Sequence, residues 1–277
     1  MIVEYNINKP IIINEYLKSF HLSNSNLFKL ISLNAITCNN KIVKNNETVE
    51  GKVYINFSLL EDNSSQIGTE IKLNILYEDD NFIAIDKESQ ILIHSDGNTF
   101  DTLLNGIVFY LKEKYDDSFV RPLHRIDFDT KGVVVFSKNI LAHSYVNYLI
   151  ENNLVYKKYL AITKGIIEKD VTLNYSIGKD RHNSKKYCVS RTGKPSITNV
   201  HVLKTNKKDN KSLIEVVIKT GRPHQIRLSL KEYGHPILGD TLYDNGIGDF
   251  KLLSKEFSFD YLGSKIYIIS KKDYSNG

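Results

Sequence analysis

The segment Arg121-Pro122-Leu123-His124-Arg125-Ile126-Asp127-Phe128-Asp129-Thr130-Lys131-Gly132-Val133-Val134-Val135-Phe136 constrains this chain more than any other. Val133–Phe136 is an apolar run bounded by Gly132, the pattern of a buried strand, and the charged residues sit in the loop that feeds it. A carboxylate at the entrance to a core strand, flanked by His124 and Arg125, has the placement of a reacting group held on a rigid scaffold. About ninety residues later comes a second dense cluster, Thr220-Gly221-Arg222-Pro223-His224-Gln225-Ile226-Arg227, which can bring a cation to that acid.

The chain around these clusters reads as strands joined by both hairpins and helices, hence a mixed α+β fold. Leu73–Tyr77 and Phe82–Ile85 are expected strands around an Asp79-Asp80-Asn81 turn. Leu103, Leu104, Ile107, Val108 and Leu111 recur at helical spacing within Thr99–Tyr115, and a second helix is expected from Leu141 to Glu151. Further strands are expected at Tyr159–Thr163, Val200–Lys204, Leu213–Ile218 and Ile266–Ile269. Residues 1–62 read as a separate small module. It would hold two helices, the second capped by Ser23 or Asn24, and a hairpin at Ala35–Val43, with Glu61–Ser65 as linker to a domain over 63–277.

Among candidate chemical groups Asp127 stands first, as nucleophile, general acid–base or metal ligand. Asp129 could pair with it on a metal, but no third carboxylate stands nearby. His124-Arg125-Ile126-Asp127 also brushes against the protein-kinase catalytic loop. That reading fails, because no Gly-rich loop precedes it, no Asp-Phe-Gly follows it, and the Asp is displaced by one residue. In the second cluster Pro223 suits the first turn of a helix running to Tyr233, which would crowd polar groups at an anion-favouring N-terminus. An Arg set against a buried carboxylate favours its charged form, whether the pair is catalytic or structural. Tyr159, in Tyr156–Ala161, is either a core aromatic or a ring that stacks on a base with a phenol able to move a proton. Arg181, Lys185, Lys186, Arg191 and Lys194 form a basic run with Tyr187 interleaved, either a solvated loop or a phosphate grip.

A formal net charge of +5 leans only mildly toward an anionic partner. Cys38 and Cys188 stand far apart without metal-ligand neighbours, which argues against a disulfide framework or structural zinc. The N-terminus lacks a secretory pattern and no apolar stretch reaches bilayer-spanning length, so a cytoplasmic protein with no membrane partner is expected.

These clusters, in order, resemble the signature of the RluA-type pseudouridine synthases over roughly residues 70–245. Leu76–Lys87 is similar to the family's opening motif, and His124-Arg125-Ile126-Asp127 with Asp129-Thr130 and Gly132 to its catalytic motif. Lys157 and Tyr159, Gly193-Lys194 with Thr198, Thr220–Arg227, and Gly234–Asp240 with Leu242-Tyr243 follow in register. Departures from the pattern are Glu88, Lys131, Pro223, Ser229 and Asp244. The resemblance implies a pseudouridine synthase fold: a mixed, mainly antiparallel sheet flanked by helices. It implies Asp127 as catalytic aspartate, Tyr159 as active-site aromatic and Arg227 as ion-pair partner of Asp127. Arg125 would open the RNA and hold the flipped nucleotide; His124, Arg222, His224, Gln225 and Lys194 would contact RNA. No cofactor and no metal are implied. The aspartate would promote glycosidic cleavage by attacking the sugar carbon or by removing a sugar proton. The partner is RNA, with ribosomal RNA expected and transfer RNA the alternative, and the enzyme is expected to be a monomer. The N-terminal module resembles the alpha-L RNA-binding motif in Ser23–Ile31 and Asn39-Asn40-Lys41, with Asn24 where an Arg is typical. The rival readings are an RNA-binding protein of this fold without catalysis, and a carboxylate-dependent nucleoside or glycoside hydrolase. The second wants two working carboxylates where only Asp127 is well placed.

Overall fold

The computed structural model describes residues 1–60, 65–183 and 186–274. The expected linker at Glu61–Ser65 lies almost wholly outside the described residues, as does Lys185 of the basic run. By contacts the chain forms two compact units. The first is Met1–Ile85, Ile91–Arg125 and Val134–Asn152; the second is Asp86–Gln90, Ile126–Val133 and Asn153–Gly277.

The first unit opens with strand β1 (Ile2–Ile12), helices α1 (Ile13–Ser19) and α2 (Asn24–Ser32), and strands β2 (Ile36–Cys38), β3 (Lys41–Ile42) and β4 (Thr48–Asn56). The strands form an antiparallel sheet in the order β1-β4-β2-β3. Val3, Tyr5 and Ile7 alternate inward from β1, the period-2 pattern of a half-buried strand. Tyr5, Tyr16 and Phe20 meet edge to face with centroids 5.3–6.3 Å apart. Ser23 caps α2, its hydroxyl accepting from the Asn26 amide at 3.3 Å. The two helices and the Asn39-Asn40 hairpin match expectation; β1 and β4 were not foreseen.

Strands β5 (Ile75–Glu78) and β6 (Phe82–Lys87) flank a turn closed by the Asp79 carboxylate, which accepts from the Asn81 and Phe82 amides at 2.8 and 2.7 Å. Helix α3 (Leu103–Glu113) starts at a Thr102 cap. Strand β7 (Arg121–Pro122) pairs with the far end of β8 (Lys131–Ser137), and helix α4 (Ile140–Glu151) is capped by Asn139. The beginning of β8 belongs to the second unit and its end to the first.

The second unit holds β9 (Tyr156–Lys164), β10 (Val171–Lys179), β11 (Tyr187–Val189), β12 (Lys194–Asn206), β13 (Lys211–Ile218), helix α5 (Gln225–Glu232), β14 (Leu252–Tyr261) and β15 (Ser264–Ile269). Successive neighbours in the order β11-β10-β12-β13-β9-β14-β15 are antiparallel, and the start of β8 adds one parallel step at Ser254↔Gly132. Alternate residues of β13 are buried, so one face of this sheet is the core. Ile226 and Leu230 of α5 pack there against Ala161, Val200, Ile214 and Val216. This is an α+β fold with a large, mainly antiparallel sheet.

Gly132 shows how tightly β8 is fitted. Its φ is +106°, and a Cβ there would lie 2.2 Å from the Ser254 carbonyl oxygen. Backbone cannot yield as a side-chain tip can. Gly132→Ala is therefore expected to cost roughly 2–3 kcal/mol from left-handed strain and overpacking, read as a lowered midpoint in urea unfolding.

Candidate active site

The loop before β8 presents Asp127, and residues 87–90 hold that loop from beneath. Lys87, fully buried, donates from Nζ to the carbonyls of Phe128 at 2.8 Å and Glu88 at 2.9 Å. The Gln90 amide also donates to Phe128, and the Ser89 hydroxyl to the Asp129 carbonyl at 3.0 Å. Burial pushes the Lys87 ammonium down to about 8, with Asp129 and Asp127 pulling the other way. The Thr130 amide closes the turn onto the Asp127 carbonyl at 3.1 Å. Asp127 is thus fixed by its backbone, leaving its side chain to other partners.

Those partners come from α5 and the loop after it. Arg227, 5% exposed, donates from Nη1 to Asp127 Oδ2 at 3.1 Å. From Nε and Nη2 it makes a bidentate pair with Asp240, at 2.9 and 2.7 Å. Asp240 is 1% exposed and also accepts the amides of Leu242 and Tyr243 at 2.9 and 3.0 Å. The guanidinium lies 4.9 Å from the Phe250 ring centre and 5.4 Å from that of Tyr243. Burial disfavours the charge on Arg227, but the two carboxylates outweigh it and hold the guanidinium above its ordinary value. Burial likewise opposes charge on Asp240, and Arg227 with the two amides reverses it, leaving that carboxyl below the usual range. One buried cation thus serves one buried anion and one, Asp127, whose side chain keeps 27% of its exposure.

Tyr159 lies on β9 opposite Ser254 of β14 and is 8% exposed. Burial first, and Asp127 second, push its phenol up to about 12 against a hydrogen bond with Ser254. At neutral pH it is a neutral ring and a proton donor. His224 sits at the start of α5 with φ +53°, its Nε2 4.0 Å from Asp127 Oδ1. Burial, the largest cause, lowers its pKa, with Asp127 opposing and Arg227 adding to that shift, which favours the neutral imidazole.

The structure corrects the expected start of this helix. Pro223 lies outside it, because the left-handed His224 interrupts the helical path and α5 begins at Gln225. Gln225 is also placed otherwise than its expected RNA contact. It is 2% exposed and its amide is wholly engaged inside the protein. Oε1 accepts from the Thr220 hydroxyl at 2.8 Å and the Arg222 amide at 3.0 Å; Nε2 donates to the Ile197 carbonyl and the Thr198 hydroxyl, each at 3.0 Å. It clamps the Thr220–Arg222 loop to β12. Gln225→Ala is expected to cost roughly 2 kcal/mol through these stranded groups, measured as a lowered thermal midpoint.

Arg222 is half-buried, donating from Nε to the Pro195 carbonyl at 3.1 Å, and Lys194 is exposed at the start of β12. His124 and Arg125 belong to the first unit. There the Val135 amide donates to His124 Nε2 at 3.2 Å, Arg125 is exposed, and burial with the Arg125 charge lowers the pKa of His94. Among the described residues no group of three or more His, Cys, Asp or Glu side chains could hold a metal ion, and no helix is long and apolar enough to cross a membrane. Lys87, Asp240 and Tyr243 went without assigned roles in the sequence reading. The signal available for Asp240 was its place at the end of the Gly234–Asp240 motif.

Residues 81–232 match the family model described as RNA pseudouridylate synthase. A Bacillus subtilis protein described as the uncharacterized RNA pseudouridine synthase YhcT is 36% identical over 225 residues, covering 80% of this chain and 73% of its own length. Ribosomal large subunit pseudouridine synthase D of Neisseria meningitidis serogroup A is 34% identical over 187 residues, which is 67% of this chain and 50% of that relative. The chain thus spans about half the length of that second relative. The solved structure of human RNA pseudouridylate synthase domain containing 1 superposes with a TM-score of 0.64 at 23% identity, covering 74% of this chain and 85% of that one, and shares its fold. The chain belongs to the RNA pseudouridylate synthase family, in its RluA-type branch, with the pseudouridine synthase fold. As an enzyme it is an isomerase of the RNA pseudouridine synthase class.

Proposed function

We propose that this enzyme isomerises specific uridines of ribosomal RNA with Asp127 as its catalytic carboxylate. The observation that carries this reading is the asymmetric pairing of Arg227. Its bidentate side is spent on buried Asp240, and a single hydrogen bond steadies Asp127 at Oδ2, leaving its side chain 27% exposed with His224 Nε2 4.0 Å from Oδ1. Asp240 is enclosed at 1% exposure, whereas Asp127 stays open to a ligand.

The target nucleotide leaves the RNA stack at a cost of a few kcal/mol. Asp127 then promotes cleavage between uracil N1 and the sugar carbon, by attack on that carbon or by removing a sugar proton. The uracil turns, carbon 5 bonds to the sugar, and the proton from carbon 5 departs while N1 gains one. No atom is lost and no redox partner is needed. Tyr159 supplies a flat neutral ring for the base. Arg125, His124, Arg222, His224 and Lys194 are proposed to meet the RNA, with Gln225 acting through the loop that it clamps. Residues 1–62 are proposed as a further RNA-contacting module of alpha-L type beside the 63–277 catalytic domain, in a monomeric cytoplasmic enzyme. Ribosomal RNA is favoured over transfer RNA because relatives at 31–34% identity are named for the large ribosomal subunit.

Carbodiimide mapping of pseudouridines in ribosomal and transfer RNA, with and without the gene, tests the substrate. One or more ribosomal sites are expected to vanish on deletion and return with the wild-type gene. Loss confined to transfer RNA would overturn the ribosomal assignment.

A further inference from the structure

The hydroxyl of Tyr243 is the meeting point of two elements that the proposed chemistry does not yet use. Asp240 builds the turn that delivers it, accepting the Tyr243 amide at 3.0 Å. From there Tyr243 Oη lies 2.9 Å from His224 Nδ1 and receives the Tyr187 amide at 3.0 Å; the Tyr187 carbonyl is 3.3 Å away. The Tyr187 ring also stands edge-on to His224, with centroids 5.3 Å apart. Tyr187 opens β11, directly after Lys186, whose ammonium is 6.0 Å from the Tyr243 ring centre.

A phenol has one proton to give, and the two ways of placing it here fix opposite tautomers of His224. If Oη donates to Nδ1, the imidazole proton is on Nε2. If Nδ1 donates to Oη, the phenol proton must go to the Tyr187 carbonyl, and the Nε2 lone pair faces Asp127 Oδ1 at 4.0 Å. Both arrangements use the 2.9 Å contact between Oη and Nδ1, and the second adds a long 3.3 Å bond from the phenol to the Tyr187 carbonyl. Only the first turns an N–H dipole rather than a lone pair toward the Asp127 carboxylate, 4.0 Å from Nε2. The bond at 3.3 Å is long and weak, so the charge facing Nε2 decides for the first.

We propose that Tyr243 is a positioning residue: its hydroxyl locks His224 in the tautomer that carries its proton on Nε2, facing the Asp127 oxygen that Arg227 leaves uncovered, and latches this assembly to the backbone of Tyr187. The proposal rests on Asp127 being the reacting carboxylate. His224 is then a hydrogen-bond donor at the site and not a base. The 4.0 Å gap exceeds a hydrogen bond, so a substrate oxygen can receive this N–H beside the carboxylate. Because Tyr187 follows Lys186 in the basic segment, a displacement of that segment would also shift the imidazole.

The test reads the tautomer directly. Protein labelled with ¹⁵N-histidine gives distinct two-bond proton–nitrogen patterns for the two tautomers, and comparison with His224→Gln assigns the signal among the eight histidines. At pH 7.5 wild-type His224 is expected to show a protonated Nε2 and a bare Nδ1. Tyr243→Phe keeps the ring but removes the partner of Nδ1. It is expected to mix the tautomers and lower kcat on the order of tenfold, as a misplaced group does, with the thermal midpoint little changed. A wild-type Nδ1–H pattern overturns the proposal, and so does a Tyr243→Phe enzyme with unchanged tautomer and kcat. The spectra require no turnover. An active Asp127→Asn enzyme would therefore refute the catalytic reading by itself, and the tautomer lock would still be judged on its own data.

Discussion

Asp127→Asn is expected to lower turnover at least about 10⁴-fold, the scale on which loss of a covalent or proton-transferring group falls, while the protein stays folded and binds RNA. The separation follows from geometry. Asn keeps an oxygen where Arg227 Nη1 now reaches Asp127 Oδ2 at 3.1 Å, and Arg227 retains both bonds to Asp240. The loop backbone is held by Lys87, Ser89 and Gln90, none of which touches the substituted side chain. Stability should therefore change by no more than about 1 kcal/mol, the worth of one partly exposed hydrogen bond. Asn lacks the negative charge and basicity that either proposed route needs. Release of tritium from carbon 5 of uridine in transcribed RNA measures turnover, and filter binding measures affinity. Retained turnover would sink the catalytic reading; lost folding would show Asp127 to be structural.

How much of this was legible beforehand depended on whether a signal was local. Val133–Phe136 reads as buried because nothing polar interrupts it, and β8 is where that run predicts. Helices α3 and α4 show their apolar faces within a dozen residues, and both are found. Strand β14 was missed because Lys255-Glu256 interrupts its apolar residues at the place where its pairing with β9 slips register. Strand β10 alternates with Thr, Asn and Ser on its outer positions, residues that also signal turns. In the site, Asp127, Tyr159 and Arg227 were visible as residue types in motifs. Burial was not. Charge is written in sequence, but the environment that makes a second carboxylate necessary for Arg227 is made by α5 packing onto the sheet. That need is what gives Asp240 its role, and the same packing consumes the amide of Gln225.

The largest stability effect is expected at Arg227. Arg227→Met leaves Asp240, 1% exposed, as a buried anion whose remaining partners are two backbone amides. Breaking a buried pair on one side typically costs 3–5 kcal/mol, and that loss is expected at pH 7 in urea unfolding. The pH dependence supplies the check. In the wild type the Asp240 pKa lies below its unfolded value, so the pair contributes stability above the unfolded carboxylate range and loses it as pH falls through the folded value. In Arg227→Met burial acts without the cation and drives the Asp240 pKa upward. Protonation then relieves the penalty, so the gap between the two proteins should narrow as pH falls from 7 toward 4. Arg227→Lys separates charge from shape: one ammonium cannot reproduce a bidentate grip on Asp240 and also reach Asp127. That variant should recover part of the stability and little of the turnover. A constant stability gap from pH 7 to 4 would mean that the buried Asp240–Arg227 charge pair is not what the substitution breaks. Full turnover in Arg227→Lys would mean that the second arm of the guanidinium, the one on Asp127, does not position the carboxylate.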